Sequence, residues 1–238
     1  MLYKTGSLAD FFHNSRKALV NARDDKNIYS LIVEYNMTAE KIEEGLTMLD
    51  NLVTADKNKT ELHGLQLMAR AELKRVFAEA NPVYMEHVNF MKLHCRKDPA
   101  ELAKLLLDEP RTRAINGWIR QADTFYSNLL LDPGLSGRLA VNAITVEKLQ
   151  AGHENVMRVS RARIKYTEAI GMAQAATERR NKLLAEFKFW MREFIYVCKV
   201  ALKDQPQLLE VLGIQVLSDG YRRQIPEMPA ADGADFGN

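Results

Sequence analysis

The stretch Met37-Thr38-Ala39-Glu40-Lys41-Ile42-Glu43-Glu44-Gly45 returns 107 residues later as Ile144-Thr145-Val146-Glu147-Lys148-Leu149-Gln150-Ala151-Gly152. At this offset, residues 37–107 align without a gap to residues 144–214 and share sixteen identical residues in 71 positions. The period is longer than the 20–50 residues of solenoid repeats. The sequence therefore predicts an internal duplication, either as paired domains or as one pseudo-symmetric body.

Each repeat is predicted to be helical throughout. Thr38 and Thr145 each precede a Glu-Lys pair, and a threonine N-cap followed by glutamate in the first turn is typical of a helix start. Apolar residues then recur at intervals of three and four, the spacing of a buried helix face. The twelve glycines and seven prolines are too few for a many-stranded sheet. The expected fold class is all-α.

The length of the main helix in each repeat stays open between two geometries. In the first repeat one apolar stripe covers residues 42–53 and a second begins at residue 62, while the polar stretch 54–60 between them contains neither Pro nor Gly. A single helix of about 60 residues would form a rod of ~90 Å. Because globular helices rarely run so long, we expect a hairpin that turns within Asp56–Gly64. Each repeat would then be a helical hairpin resembling a four-helix bundle.

The domain boundaries follow from the repeat and from composition. Asp98-Pro99 and Gln205-Pro206 are predicted to end the long helices and begin short ones, with proline at the first helical position. The predicted domains are a first helical repeat at 1–107 and a second at 108–214. Residues 215–238 contain few bulky apolar residues and are predicted to form a flexible tail.

Three features together resemble a known group of proteins. They are the Thr-x-Glu-Lys start, the aromatic-rich second half of the long helix in repeat two, and the closing segment Asp204-Gln205-Pro206-Gln207-Leu208-Leu209-Glu210-Val211-Leu212-Gly213-Ile214. The chain resembles uncharacterised bacterial proteins built from tandem helical-bundle repeats, over most of residues 1–214. The first repeat departs from the pattern at the aromatic and Leu-Gly-Ile positions. The resemblance implies a fold and no catalytic residue.

Composition places the chain among soluble globular proteins. Hydrophobic residues make up 47%, charged residues 27%, and the net charge is +2. No apolar run approaches the eighteen residues of a transmembrane helix, and the first residues lack a signal-peptide core. Cys95 and Cys198 are expected to be free thiols on apolar faces, since no CxxC motif is present. We therefore expect a cytoplasmic protein without membrane association.

No motif in the sequence indicates catalysis or a cofactor. A di-metal centre in a bundle needs Glu-x-x-His on facing helices, and none of the five histidines follows a glutamate by three residues. A nucleophile elbow and a glycine-rich phosphate loop are also missing. We expect no catalytic residue, no metal, no cofactor and no enzyme activity.

Basic residues concentrate in the second repeat. Between residues 158 and 192 nine lysines and arginines face three acidic residues. Such a stripe could neutralise phosphates, although it lacks a compact basic run or a reader motif. The candidate contacts for a protein or a nucleic acid are Arg158, Arg161, Lys165, Arg179 and Arg180.

The same repeat carries a helix that is aromatic on more than one side. Phe187, Trp190 and Phe194 share one face, whereas Phe189 and Tyr196 lie on others. A helix with this pattern contacts more than one neighbour. We expect core packing here, with contact between the repeats or a groove for an apolar ligand as the alternatives.

The expected function is a non-enzymatic scaffold or protein-interaction module that binds itself or another protein through its helix faces. One alternative is a nucleic-acid-associated protein that uses the basic stripe. A second alternative is a ligand or cofactor binder within a bundle. Because the repeats agree at helix starts and glycines but differ at every histidine and cysteine, any specific activity is expected where they differ.

Overall fold

A computed structural model describes residues 6–214. Within this part of the chain every regular element is a helix, so the all-α prediction is confirmed. The elements are α1 (Leu8–Asp24), α2 (Lys26–Ile32), a 3-10 helix (Val33–Tyr35), α3 (Ala39–His94), α4 (Pro99–Lys104), α5 (Ile115–Leu131), α6 (Pro133–Ala140), α7 (Val146–Ala201) and α8 (Gln207–Val211). The predicted flexible tail at 215–238 lies outside the described residues. No helix in the described range is long and apolar enough to span a membrane.

The two long helices are uninterrupted. α3 and α7 each contain 56 residues, and α3 continues through Pro82 as well as through the polar stretch 54–60. The predicted hairpin turn within Asp56–Gly64 was therefore wrong. The stretch 54–60 contains no proline or glycine that would end the helix. The apolar face of α3 is buried against α7, and the two halves of α3 do not fold back on each other.

Helix bounds recur at the offset found in the sequence. α1 and α5 are separated by 107 residues at both ends, and so are α3 and α7. The same threonines accept the first-turn hydrogen bonds, from the Lys41 amide to Thr38 (3.5 Å) and from the Lys148 amide to Thr145 (3.4 Å). Equivalent local sequences thus produce equivalent local structure.

The chain forms two compact units, and each unit combines both halves of the sequence. The first unit contains residues 6–56 and 179–214 of the described chain, and the second contains residues 57–178. The predicted repeats 1–107 and 108–214 therefore do not coincide with the compact units. Each unit takes the beginning of one repeat and the end of the other.

Each unit has its own hydrophobic core. In the first unit α1, α2 and the start of α3 pack against the end of α7 and α8, and the largest fully buried side chains there are Leu19, Ile28, Ile32, Ile42, Leu49, Leu52, Phe187 and Phe194. In the second unit α5, α6 and the start of α7 pack against the end of α3. Its largest fully buried side chains are Tyr84, Met91, Phe125 and Tyr126.

The long helices run antiparallel within the second unit. Glu79 of α3 pairs with Arg158 of α7 at 3.4 Å, whereas His63 and Gln66 lie beside Ala173 and Gln174. Between these points the contact seam repeats every 3.5 residues, as in a coiled coil. The seam is rich in alanine, which allows close approach, and consists of Leu62, Gln66, Ala69, Leu73, Val76 and Ala80 against Val159, Ala162, Tyr166, Ala169, Ala173 and Ala176.

Two repeat-equivalent glycines are packed against aromatic side chains. A Cβ atom at Gly45 would overlap the Trp190 indole, and one at Gly152 would lie 2.5 Å from the Tyr126 hydroxyl. Gly64 and Gly171 lie in the same two helices, and a Cβ at either position would meet nothing within 4 Å. The first two glycines are therefore required by packing, and the second two are not.

We predict opposite effects for two glycine substitutions in α3. Gly45→Ala should lower the free energy of unfolding by about 1–3 kcal/mol, because the half-buried indole of Trp190 must move. Gly64→Ala should raise it by up to about 1 kcal/mol, because alanine is the better helix former and space is available. Chemical denaturation of both variants measures the difference. Equal effects of the two substitutions would contradict the packing at Gly45.

Candidate functional site

The first unit contains an open groove between the 3-10 helix and the end of α7. Its volume is about 680 Å³, and its wall on one side is the turn Tyr35, Asn36 and Met37. Asn36 adopts a left-handed conformation with φ of 62°, which ends the 3-10 helix and directs the chain into α3. Asparagine tolerates this conformation better than most residues. The turn at Asn36 therefore places this wall beside the face of α7 that forms the floor of the groove.

The floor of the groove is aromatic. Trp190 lies over Phe194 with ring centroids 5.6 Å apart and an interplanar angle of 11°. Phe194 is fully buried, and Gly45 provides the space that the indole occupies. Tyr35 and Tyr196 stand at the groove with 46% and 70% of their surface exposed. A rigid aromatic floor with exposed tyrosines is the composition of an interface centre.

Four charged residues also line this groove. Lys41 and Arg192 supply two positive charges, and Glu44 and Glu193 supply two negative charges. The groove is thus neutral overall.

The equivalent positions of the second unit provide an internal comparison. At an offset of 107 residues Tyr35 corresponds to Asn142, Tyr196 to Asn89 and Trp190 to Val83. Phe194 corresponds to His87. The equivalent long helix therefore does not require Trp190 or Tyr196, because the second unit forms it without aromatic residues at these two positions, whereas the 3-10 helix that carries Tyr35 corresponds to a turn in the second unit.

A second groove lies on the helix pair of the second unit. It has a volume of about 240 Å³ and is lined by Ala69, Glu72, Val76, Arg158, Arg161, Ala162 and Lys165. Three of the five predicted contact residues, Arg158, Arg161 and Lys165, are thus brought together. The other two, Arg179 and Arg180, belong to the first unit.

Most of the predicted basic residues are engaged in ion pairs. Arg158 pairs with Glu79 at 3.4 Å, and Arg161 pairs with Glu154. Arg180 pairs with Asp56 at 3.4 Å, and only 18% of its side chain is exposed. These neighbouring carboxylates reduce the charge that is available to phosphates. Three of the nine basic residues in the stripe are therefore partly neutralised.

Glu72 is held in the same set of charges. Arg75 donates to it at 2.7 Å, and this hydrogen bond lowers the pKa of Glu72 and raises that of Arg75. Arg75 also contacts Glu79 at 2.5 Å. Glu72 therefore stays ionised and in place beside the groove.

The second unit contains a buried polar pair that the first unit lacks. His87 is 3% exposed, and its Nδ1 lies 2.9 Å from the hydroxyl of the fully buried Tyr126. Desolvation lowers the pKa of His87 and raises that of Tyr126. At the equivalent positions of the first unit stand Phe194 and Leu19. Both partners are thus held neutral inside a core that could be apolar.

His153 extends this arrangement toward the surface. Its Nε2 lies 2.9 Å from Asp123 Oδ1, and its ring is 6.2 Å from the ring of Tyr126. In residues 6–214 no group of three or more His, Cys, Asp or Glu side chains could hold a metal ion. Asp123, His153, Tyr126 and His87 are instead connected, in this order, by hydrogen bonds and one ring contact.

Both cysteines are buried and unpaired. Burial raises the pKa of Cys95 to about 11 and that of Cys198 to about 12. Because the thiolate is the reactive form, neither side chain is poised as a nucleophile.

No family model, no curated protein and no solved structure matches this chain.

The sequence placed Trp190 and Phe194 on one helix face and favoured core packing there, and in the structure both residues also line the groove of the first unit. The spacing of Trp190 and Phe194 indicated one face, and a groove was among the alternatives. Tyr35 was missed, because it lies more than 150 residues earlier in the chain and its position depends on the turn at Asn36. The paired carboxylates around the basic stripe were missed for the same reason.

We predict that His87 makes the stability of the protein pH-dependent. Its pKa is lower in the folded than in the unfolded chain, where it is about 6.5. As pH falls below 6.5 the unfolded chain takes up a proton that the folded chain does not, so stability is lost, at most by about 1.4 kcal/mol per pH unit. Above pH 6.5 His87 contributes no dependence.

The comparison that isolates this effect uses the residue found in the other repeat. Denaturation of the double variant His87→Phe, Tyr126→Phe between pH 7.5 and pH 5 should show a shallower loss of stability than the wild type. Tyr126→Phe alone keeps His87 and should keep the steeper loss. Identical slopes for wild type and double variant would rule out the assigned role of His87.

Proposed function

We propose that the protein is a non-enzymatic helical interaction module and that the groove of the first unit is its main protein-binding site. The observation that carries this proposal is the aromatic lining formed by Trp190, Tyr35 and Tyr196, which the second unit replaces with Val83, Asn142 and Asn89. Trp190 also packs on the core of the first unit, but the exposed rings of Tyr35 and Tyr196 add little to that core, so their presence is best explained by contact with a partner. Exposed aromatic residues are typical anchors of protein interfaces.

The proposal includes the origin and setting of the module. The chain is a tandem duplication, supported by the coinciding bounds of α1 with α5 and of α3 with α7. It works in a reducing, cytoplasmic environment, supported by the buried unpaired Cys95 and Cys198. The resemblance to bacterial tandem helical-bundle proteins stays a prediction that agrees with this setting.

The test replaces the exposed aromatic residues with those of the other repeat. The double variant Tyr35→Asn, Tyr196→Asn should keep the helix content of the wild type and most of its free energy of unfolding, because Tyr196 is 70% exposed and Tyr35 is 46% exposed. It should lose binding to a partner by at least tenfold, about 1.4 kcal/mol, because two interface anchors are removed. Affinity capture with the full chain, followed by titration of each captured protein in purified form, measures the loss.

Val141→Asn serves as the matched control. Val141 is 84% exposed and lies in the second unit, so this variant should bind like the wild type. Undiminished binding of every purified partner by the double variant would refute the groove as the binding site. Self-association is tested in parallel by measuring the mass of the wild type and the double variant in solution.

A further inference from the structure

The aromatic groove of the first unit offers hydrogen-bond donors that are not used within residues 6–214. Trp190, Tyr35 and Tyr196 line this groove, and the indole N–H and both hydroxyls make no hydrogen bond to any residue in that range. The six-membered ring of the indole packs on Gly45, so Nε1 belongs to the ring that is not held there. Proline-rich segments dock in aromatic-lined grooves, and because a polyproline II helix has no internal hydrogen bonds, its carbonyl groups are free to accept from such donors.

The chain itself contains one pair of prolines three residues apart. They are Pro226 and Pro229, in the segment Arg223-Gln224-Ile225-Pro226-Glu227-Met228-Pro229. In a polyproline II helix this spacing is one full turn, so both rings lie on the same side, about 9 Å apart along the axis. Trp190 and Tyr196 are six residues apart in α7, which is also about 9 Å along the helix axis. The spacing of the prolines therefore matches that of two aromatic residues of the groove.

The proline segment is tethered to the unit that contains the groove. Ile214, the last described residue, is 4% exposed and belongs to the core that also contains Phe194. Pro226 follows twelve residues later, and a stretch of this length reaches up to about 40 Å. A compact body of about 90 residues has a radius of gyration of roughly 12 Å, so the segment can reach the groove. Such a tether gives the segment an effective concentration in the millimolar range.

Net charge does not decide what occupies the groove. Lys41 and Arg192 balance Glu44 and Glu193 among the residues that line it. Arg192 is partly engaged, since its Nε donates to the Lys188 carbonyl at 3.3 Å. The proline spacing, the unused donors and the tether are therefore the features that select an occupant.

We propose that residues 223–229 of this chain bind in the aromatic groove and compete there with a protein partner. Pro226 and Pro229 pack on the aromatic rings, and the indole N–H and tyrosine hydroxyls donate to carbonyl groups of the segment. A dissociation constant of a few tenths of a millimolar is sufficient, because the tether supplies a higher effective concentration. The competition rests on the proposed function of the groove, whereas binding of the segment can be measured without a partner.

The first test measures tryptophan fluorescence of the full chain. Trp118 is 5% exposed and donates to Asn81, so quenching by acrylamide reports mainly on Trp190. The double variant Pro226→Ala, Pro229→Ala should raise the quenching constant, because the groove loses its cover. Asp232→Ala changes the same part of the chain outside the proline segment and should be quenched like the wild type. The difference should be the same at every protein concentration.

The second test adds a labelled synthetic peptide with the sequence of residues 219–231 to the full chain. Fluorescence anisotropy should show that it binds the proline variant about threefold more tightly than the wild type, whose groove is already occupied for most of the time. Adding Tyr35→Asn, Tyr196→Asn to the proline variant should weaken the peptide by about tenfold, because two anchors are removed. A peptide with alanine in place of both prolines should bind neither protein.

Equal quenching of the wild type and the proline variant would overturn the proposal, and so would failure of the peptide to bind the proline variant. Protection of Trp190 that grows with protein concentration, together with a doubled mass in solution, would assign the groove to the segment of a second copy instead. These results leave the proposed function intact, because that depends on partner binding by Tyr35→Asn, Tyr196→Asn. Conversely, if this tyrosine variant keeps its partners while the tyrosine changes weaken the peptide, only the proposed function is refuted.

Discussion

The structure depends on the antiparallel pairing of α3 with α7. Each helix has 56 residues, far more than a helix of a small domain buries by itself, and in each unit one supplies the partner surface of the other. In the second unit the seam repeats every 3.5 residues and is rich in alanine, with Ala69, Ala162 and Ala173 among its members. Small side chains on these faces leave little volume to fill. The shorter helices then add the larger apolar residues at the parts of the pair that they cover.

This pairing explains which predictions from sequence succeeded. The threonine caps at Thr38 and Thr145 and the spacing of apolar residues are local signals, and the helices that they predict are present. The continuity of α3 through residues 54–60 was misjudged, because the sequence shows that an apolar face needs a partner but not which segment supplies it. The two apolar stripes of one long helix suggest a hairpin whose halves bury each other. In the structure, the surface that covers each stripe belongs to the other long helix.

The candidate sites were less predictable than the fold for a related reason. A side chain becomes part of a site through its neighbours in space, and Tyr35 meets Trp190 only after α3 and α7 have paired. The basic stripe shows that neighbours in space can also weaken a feature that the sequence indicates. Arg158 and Arg180 are adjacent to other cations in sequence, yet in space each lies beside a carboxylate of α3. Counting charges along one helix overestimates the field that a partner would experience.

The two packed glycines show how the two halves of the chain differ within a similar set of helices. Gly45 and Gly152 occupy equivalent positions, and each leaves room for one aromatic ring, but Trp190 comes from the end of a long helix and Tyr126 from α5. The backbone requirement is therefore shared, whereas the side chain that satisfies it is not. In the first unit the filling indole reaches the surface and floors a groove. In the second the filling phenol is fully buried and requires a polar partner, which His87 supplies at 2.9 Å. A single choice of filling residue thus gives one unit an aromatic groove and the other a titratable core.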